Sequence, residues 1–111
     1  MEKNKPKIKL KSPKTTSLKK ALDSLFSVYI RLRDAKPGGE VKCISCGVTG
    51  HWSSFDNGHY EKRQWLATRF DDRNCHVQCK TCNIFKDGNK EDYAVALIKL
   101  YGDGVLQELN R

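Results

Sequence analysis

The chain has 111 residues, enough for one small domain, and carries 21 basic against 13 acidic side chains for a net charge of +8. A chain this short buries only a modest core unless something staples it. Its five cysteines are odd in number, its first residues form no apolar secretory leader, and no apolar run approaches bilayer length, so a secreted disulfide framework and a membrane partner are both unexpected, and paired thiols are expected to bind metal in a reducing cytoplasm.

Residues 1–20 hold eight lysines and one glutamate, whereas residues 21–111 hold 13 basic and 12 acidic side chains. Almost all of the net charge therefore sits in the leader. A lysine-rich arm over residues 1–16, interrupted by Pro6 and Pro13, reads as disordered and attracts a polyanion by counterion release; the plainer alternative is a solvated solubility tail. Residues 17–111 read as a single domain with its core at 41–90.

Hydroxyls at Thr15, Thr16 and Ser17 can cap a helix. From residue 18 to about 35, Leu18, Leu22, Leu25, Phe26, Tyr29 and Leu32 recur at three- and four-residue intervals, which predicts an amphipathic helix with Lys19, Lys20, Arg31 and Arg33 on its polar face. Pro37, Gly38 and Gly39 break it. A short strand over residues 41–44 leads into Cys43-Ile44-Ser45-Cys46, with Gly47 giving the turn room to fold back. Trp52 and Phe55 mark buried positions before a strand ending in Gly58-His59-Tyr60. The following loop interleaves cations with aromatics: Lys62, Arg63, Arg69 and Arg73 suit phosphate oxygens, while Trp65 and Phe70 read as core plugs.

Residues 74–78 predict a second short strand with Asn74, His76 and Gln78 on one face and Cys75 and Val77 on the other. Cys75 reads as a small buried hydrophobe. Cys79-Lys80-Thr81-Cys82 opens a short helix carrying Asn83 and Lys86. After a break at Asp87 and Gly88, Asn89 caps a helix answered by Asp92, with Tyr93, Leu97, Leu100 and Tyr101 facing inward. Gly102 stops it, and a last helix covers about residues 104–109.

The two C-x-x-C pairs have the spacing at which Cys43, Cys46, Cys79 and Cys82 share one structural zinc ion. Within and just beyond them, His59, Asn74 and Asn83 stand at spacings that resemble the HNH nuclease motif in its zinc-ribbed form. Tyr29 to Ala35, Asp56-Asn57-Gly58-His59-Tyr60, Arg69 to Asn74, Gln78 to Asn83, and Gly88-Asn89 together are similar to the phage recombination family called NinG or Rap. The resemblance runs from about Leu18 to the C-terminus.

The resemblance implies an α+β fold, a small zinc-stapled ββα-metal (HNH) core flanked by an N-terminal helix and C-terminal helices. It also implies a phage- or prophage-encoded endonuclease of the bacterial host cell, acting on branched or double-stranded DNA and leaving 5′-phosphate and 3′-hydroxyl ends. His59 would be the general base, Asn74 would orient its imidazole by a hydrogen bond, and Asn83 would offer an oxygen to a catalytic magnesium or manganese ion. The acid that many HNH sites place before the histidine is Gly58 here, which makes Asp56 the expected substitute, provided that the strand bends at Gly58. His76 is open between a further metal ligand, a phosphate contact and a core histidine. Lys86 joins Lys62, Arg63, Arg69 and Arg73 as a DNA-contact candidate. Two symmetric active sites would require a homodimer, for which the first and last helices are the candidate surfaces. The competing reading is a non-catalytic zinc ribbon that binds nucleic acid; a redox use of the C-x-x-C thiols lacks the expected βαβ context.

Overall fold

The computed structural model describes residues 12–110; the greater part of the expected basic arm lies outside them. In chain order the elements are α1 (Ser12–Arg33), β1 (Glu40–Lys42), β2 (Thr49–His51), a 3-10 turn (Trp52–Ser54), β3 (Asp56–His59), α2 (Leu66–Arg69), β4 (Cys75–Gln78), a π-turn (Thr81–Phe85), α3 (Lys90–Tyr101) and α4 (Val105–Leu109). This is a small mixed α+β fold with two two-stranded sheets.

Helix α1 starts at Ser12, so residues 12–16, expected in the arm, are helical. Pro13 lies in the first turn, where its missing N–H has no intrahelical acceptor to lose. The larger correction concerns the helix's orientation. Leu18, Leu22, Leu25, Tyr29 and Leu32 are exposed, and Ile30 is the fully buried apolar residue. Polar groups instead fasten the inner face: Arg33 donates to the Asp72 and Cys75 carbonyls at 2.9 and 2.8 Å, and Asp34 accepts from the Val77 N–H.

Strands β1 and β2 pair antiparallel with Val41 opposite Gly50, so the first knuckle is the turn of a hairpin whose second strand the sequence pattern did not suggest. Gly47, at φ +83°, supplies the left-handed backbone of that turn. The second hairpin pairs β3 with β4 in the register Asp56 to Gln78, Gly58 to His76 and His59 to Cys75. The Ile44 N–H donates to the Val77 carbonyl and joins the hairpins. Val41, Cys43, Phe55, Val77 and Cys82 form one core; Tyr93 and Leu97 of α3 close a second against Val105 and Leu109 of α4. Leu100 and Tyr101, expected to face inward, are substantially exposed, because a 12-residue helix packed on a five-residue partner buries only a narrow stripe. Asn89 is the left-handed N-cap residue of α3, but its side chain makes no cap hydrogen bond; its amide donates to Asp92 and to Cys82 Sγ.

Candidate functional site

Both knuckles fold back so that a backbone N–H meets the first sulfur, Cys46 N–H to Cys43 Sγ at 3.5 Å and Cys82 N–H to Cys79 Sγ at 3.4 Å. Asn89 Nδ2 adds a donor to Cys82 Sγ at 3.3 Å. All four sulfurs lie within 4.8 Å of one another, and Cys46 Sγ is 3.7 Å from Cys79 Sγ. A tetrahedral zinc bonded at about 2.3 Å needs sulfurs ~3.8 Å apart, so the donors and their spacing fit such an ion. Cys75 stands apart, with its thiol pushed up to about 12 by burial, and behaves as the inert hydrophobe its isolation suggested.

Beside β3 lies a cleft of about 560 Å³. Strand β3 contributes Asp56, Asn57 and His59, α1 contributes Asp23, Ser27 and Arg31, and Lys62, Arg63, Lys80, Asn83 and Lys90 complete most of the rim. The His59 Nε2 is 2.9 Å from the Arg69 carbonyl. A carbonyl only accepts, so Nε2 carries the proton, and in the neutral ring Nδ1 is the basic nitrogen, with no hydrogen-bond partner among the described residues. Burial lowers the His59 pKa below its ordinary value and so favours that neutral ring; the bond to the Arg69 carbonyl opposes the shift and the nearby Arg63 charge reinforces it.

Asn74 does not touch the imidazole, contrary to the expected hydrogen bond. Fully buried, it accepts from the Glu61 N–H at 2.7 Å and donates to the Glu61 and Thr68 carbonyls at 3.0 and 3.1 Å. It thereby closes the loop over residues 61–68, and the next residue, Arg69, presents its carbonyl to His59. The Arg69 side chain locks the same loop to α1 through Asp23, at 2.9 and 2.5 Å, and the Arg69 hydrogen bond holds the Asp23 carboxyl below its usual range. Asn74 is therefore a clasp of this loop. Its effect passes through the loop because a strand-end amide reaches two backbone segments at once.

Asp56 and Asn83 do come together: Asn83 Nδ2 donates to Asp56 Oδ2 at 3.0 Å, and Lys80 Nζ to Asp56 Oδ1 at 2.7 Å. The Asp56–His59 ladder runs through Gly58 without a break in register, and the π-turn brings Asn83 to Asp56. Gly58 cannot be an acid, since a Cβ there would lie 2.2 Å from Gln78 Oε1 and 2.8 Å from Gln78 Cβ. The buried Asn57 Oδ1 has no hydrogen-bond donor among the described residues.

Several expected site residues lie elsewhere. His76 is buried behind the sheet, its Nδ1 3.2 Å from the Tyr93 hydroxyl and its Nε2 2.8 Å from the Tyr101 hydroxyl, while Tyr93 donates to the Gly58 carbonyl at 2.7 Å. It is a core histidine with its pKa lowered to about 4 by burial, and it cannot ligate an ion in the cleft. Arg69 is spent on Asp23, and Arg73 pairs with Glu108 and Asp71; neither lines the cleft. Lys86 is exposed outside it. Of the proposed DNA contacts, Lys62 and Arg63 remain on the rim. Trp65 is 57% exposed and no core plug, whereas Phe70 meets Phe26 edge-on at 5.5 Å.

Sequence reasoning missed Asp23, Asn57, Lys80 and Lys90 as cleft residues and gave Arg31 no role there. One signal was available, because Asp23, Ser27 and Arg31 at four-residue spacing make a polar line along one helix face.

The family model described as Bacteriophage Lambda NinG protein matches residues 1–111. Protein ninG of Escherichia phage 933W is 36% identical over 98 residues, which cover 87% of this chain and 46% of that protein. The corresponding proteins of Salmonella phage P22 and Escherichia phage lambda are 36% and 35% identical over 98 residues, with 45% of each covered. The chain thus matches about half the length of these curated relatives. No solved structure matches.

Proposed function

This chain belongs to the NinG family of phage proteins, and we propose that it is a metal-dependent DNA endonuclease of the HNH (ββα-metal) type, hydrolysing phosphodiester bonds in branched or recombination-intermediate DNA to 5′-phosphate and 3′-hydroxyl ends. The observation that carries this reading is the state of His59. A ring whose Nε2–H is held by a carbonyl, and whose pKa is lowered by burial, keeps Nδ1 as a base near neutral pH. It sits in a cleft with a carboxylate, an amide oxygen and a rim of cations.

Within that cleft His59 takes the proton from the attacking water. Arg69 fixes the imidazole and Asn74 fixes Arg69. Asp56 and Asn83 offer the hard oxygens that magnesium or manganese prefers, and the unpartnered Asn57 Oδ1 is a further acceptor that a hydrated ion would satisfy. Such an ion, when bound, supplies charge relief to the phosphate and the leaving 3′ oxygen. Lys62, Arg63, Arg31 and Lys90 attract the phosphate backbone. Lys80 holds the Asp56 carboxylate in place. The cysteine centre takes no part beyond holding β1 and the π-turn against the second hairpin.

The test incubates the zinc-loaded protein with matched linear, flapped, D-loop and four-way DNA, with and without manganese, on a denaturing gel. Cutting should require the ion, favour the branched substrates and fall by roughly 10³-fold or more in His59→Ala, with zinc content and circular dichroism unchanged. Cutting by His59→Ala at the parent's rate would sink the mechanism. Salt-dependent DNA binding with no cutting by the parent would leave a zinc-stapled binding module.

A further inference from the structure

We infer that the outer face of α1 is a self-association surface on which a second copy of this chain docks antiparallel, with the two-fold axis at Leu25. The helix turns its polar line of Asp23, Ser27 and Arg31 to its own cleft and leaves Leu18 (64% exposed), Leu22, Leu25 (68%), Val28, Tyr29 and Leu32 to solvent. Ala21 is exposed between them. Leu18, Leu22, Leu25, Tyr29 and Leu32 step by four, three, four and three residues, the spacing of a coiled-coil seam.

The partner is a second copy because the stripe is complementary to itself. An isologous contact must match each residue at a given distance before the axis with one at the same distance after it. About Leu25 this pairs Leu18 with Leu32 and Leu22 with Val28, and sets the small Ala21 against the large Tyr29, while Leu25 meets its own copy. The stripe contains no charge. The 22 residues of α1 make a rod of about 33 Å. Its exposed apolar side chains present on the order of 500 Å² per copy, which doubled reaches the ~1,000 Å² at which specific interfaces begin.

Each cleft borders the inner face of its own α1, so pairing the outer faces sets two clefts on opposite sides of one helical layer. For cutting, that consequence rests on the nuclease reading: two symmetric sites suit paired incisions in a branched substrate. The association itself stands on the helix alone, and its test reads no cleavage.

Sedimentation equilibrium of the zinc-loaded full chain across the micromolar range should give a dimer. Leu25→Asp should raise its dissociation constant ~100-fold or more, with zinc content and circular dichroism unchanged because the residue is largely exposed. A monomeric parent, or a Leu25→Asp variant that associates like the parent, overturns the proposal. Orientation is read by oxidation. Leu25→Cys should link to itself, and Leu18→Cys should link only when mixed with Leu32→Cys. Self-linking of Leu18→Cys would mean a parallel pair and would overturn the antiparallel docking.

Discussion

The four-cysteine cluster and the cleft share the segment that leaves β4 yet are built in opposite ways. Four ligands from two tetrapeptides make the first, and each tetrapeptide orients its own sulfurs with its own N–H groups. The second draws Asp23 from α1, Asp56 and His59 from β3, the Arg69 carbonyl from α2 and Asn83 from the π-turn. The lesson is that a local site can be read from spacing, whereas an assembled site depends on every element that carries a part of it. The two also meet in the chain, since Asn83 of the cleft directly follows Cys82 of the cluster.

Removing the zinc should have the largest effect. Zinc binding in small structural sites is linked to folding by an order of 10 kcal/mol, so Cys82→Ser, or a strong chelator, should abolish both the folded circular dichroism signal and the proposed cutting. A chelated protein that retained its fold would show the two regions to be independent. Next comes the loop closure. Asn74→Ala removes the partners of the part-buried Glu61 N–H and carbonyl, while the Thr68 carbonyl keeps the Asp71 N–H, for a loss of about 1–3 kcal/mol in denaturant unfolding. It should also lower cutting per folded molecule ~10- to 100-fold through the displaced Arg69 carbonyl, while zinc content stays full.

The two histidines of the hairpin sharpen the contrast. His76 is neutral and buried with a folded pKa of about 4, below its unfolded value of ~6.5, so the unfolded chain binds the extra proton as pH falls. Its contribution is complete above pH ~6.5 and is lost progressively towards pH 4, about 3 kcal/mol in all. Urea unfolding across that range should show the slope, and His76→Leu should flatten it at some cost in stability. The lowered His59 pKa has the corresponding effect on chemistry: its base form, and the proposed cutting, should persist below pH 6.5 before falling. The smallest effect should come from Arg73→Ala, where loss of a partly exposed pair with Glu108 costs less than about 1 kcal/mol. Its DNA affinity should keep the parent's salt slope, whereas Lys62→Ala on the rim should reduce that slope by about one.

Particular residues show why only part of the molecule was legible in advance. The two hairpin strands around His59 and Asn74, the stop at Gly102 and the closing helix follow from turn residues and short-range pattern. The orientation of α1 does not, because a stripe of leucines at helical spacing has the same period whether it meets the core or another chain. His76 and Arg69 were equally ambiguous. A histidine one register from the cleft and an arginine in a basic loop declare their roles only when Tyr93, Tyr101 and Asp23 are seen against them.

The sequence by itself determined the four-cysteine centre and the family to which the chain belongs, since both are carried by residue types at fixed short spacing. Only the tertiary structure decided which ring nitrogen of His59 is tied to a carbonyl and which is left to accept a proton, that Asn74 holds a loop rather than the imidazole, and that Gln78 forces glycine at position 58 while the π-turn brings Asn83 to Asp56. These are contacts between segments distant in the chain, and no local pattern specifies which polar atom will face which across a fold.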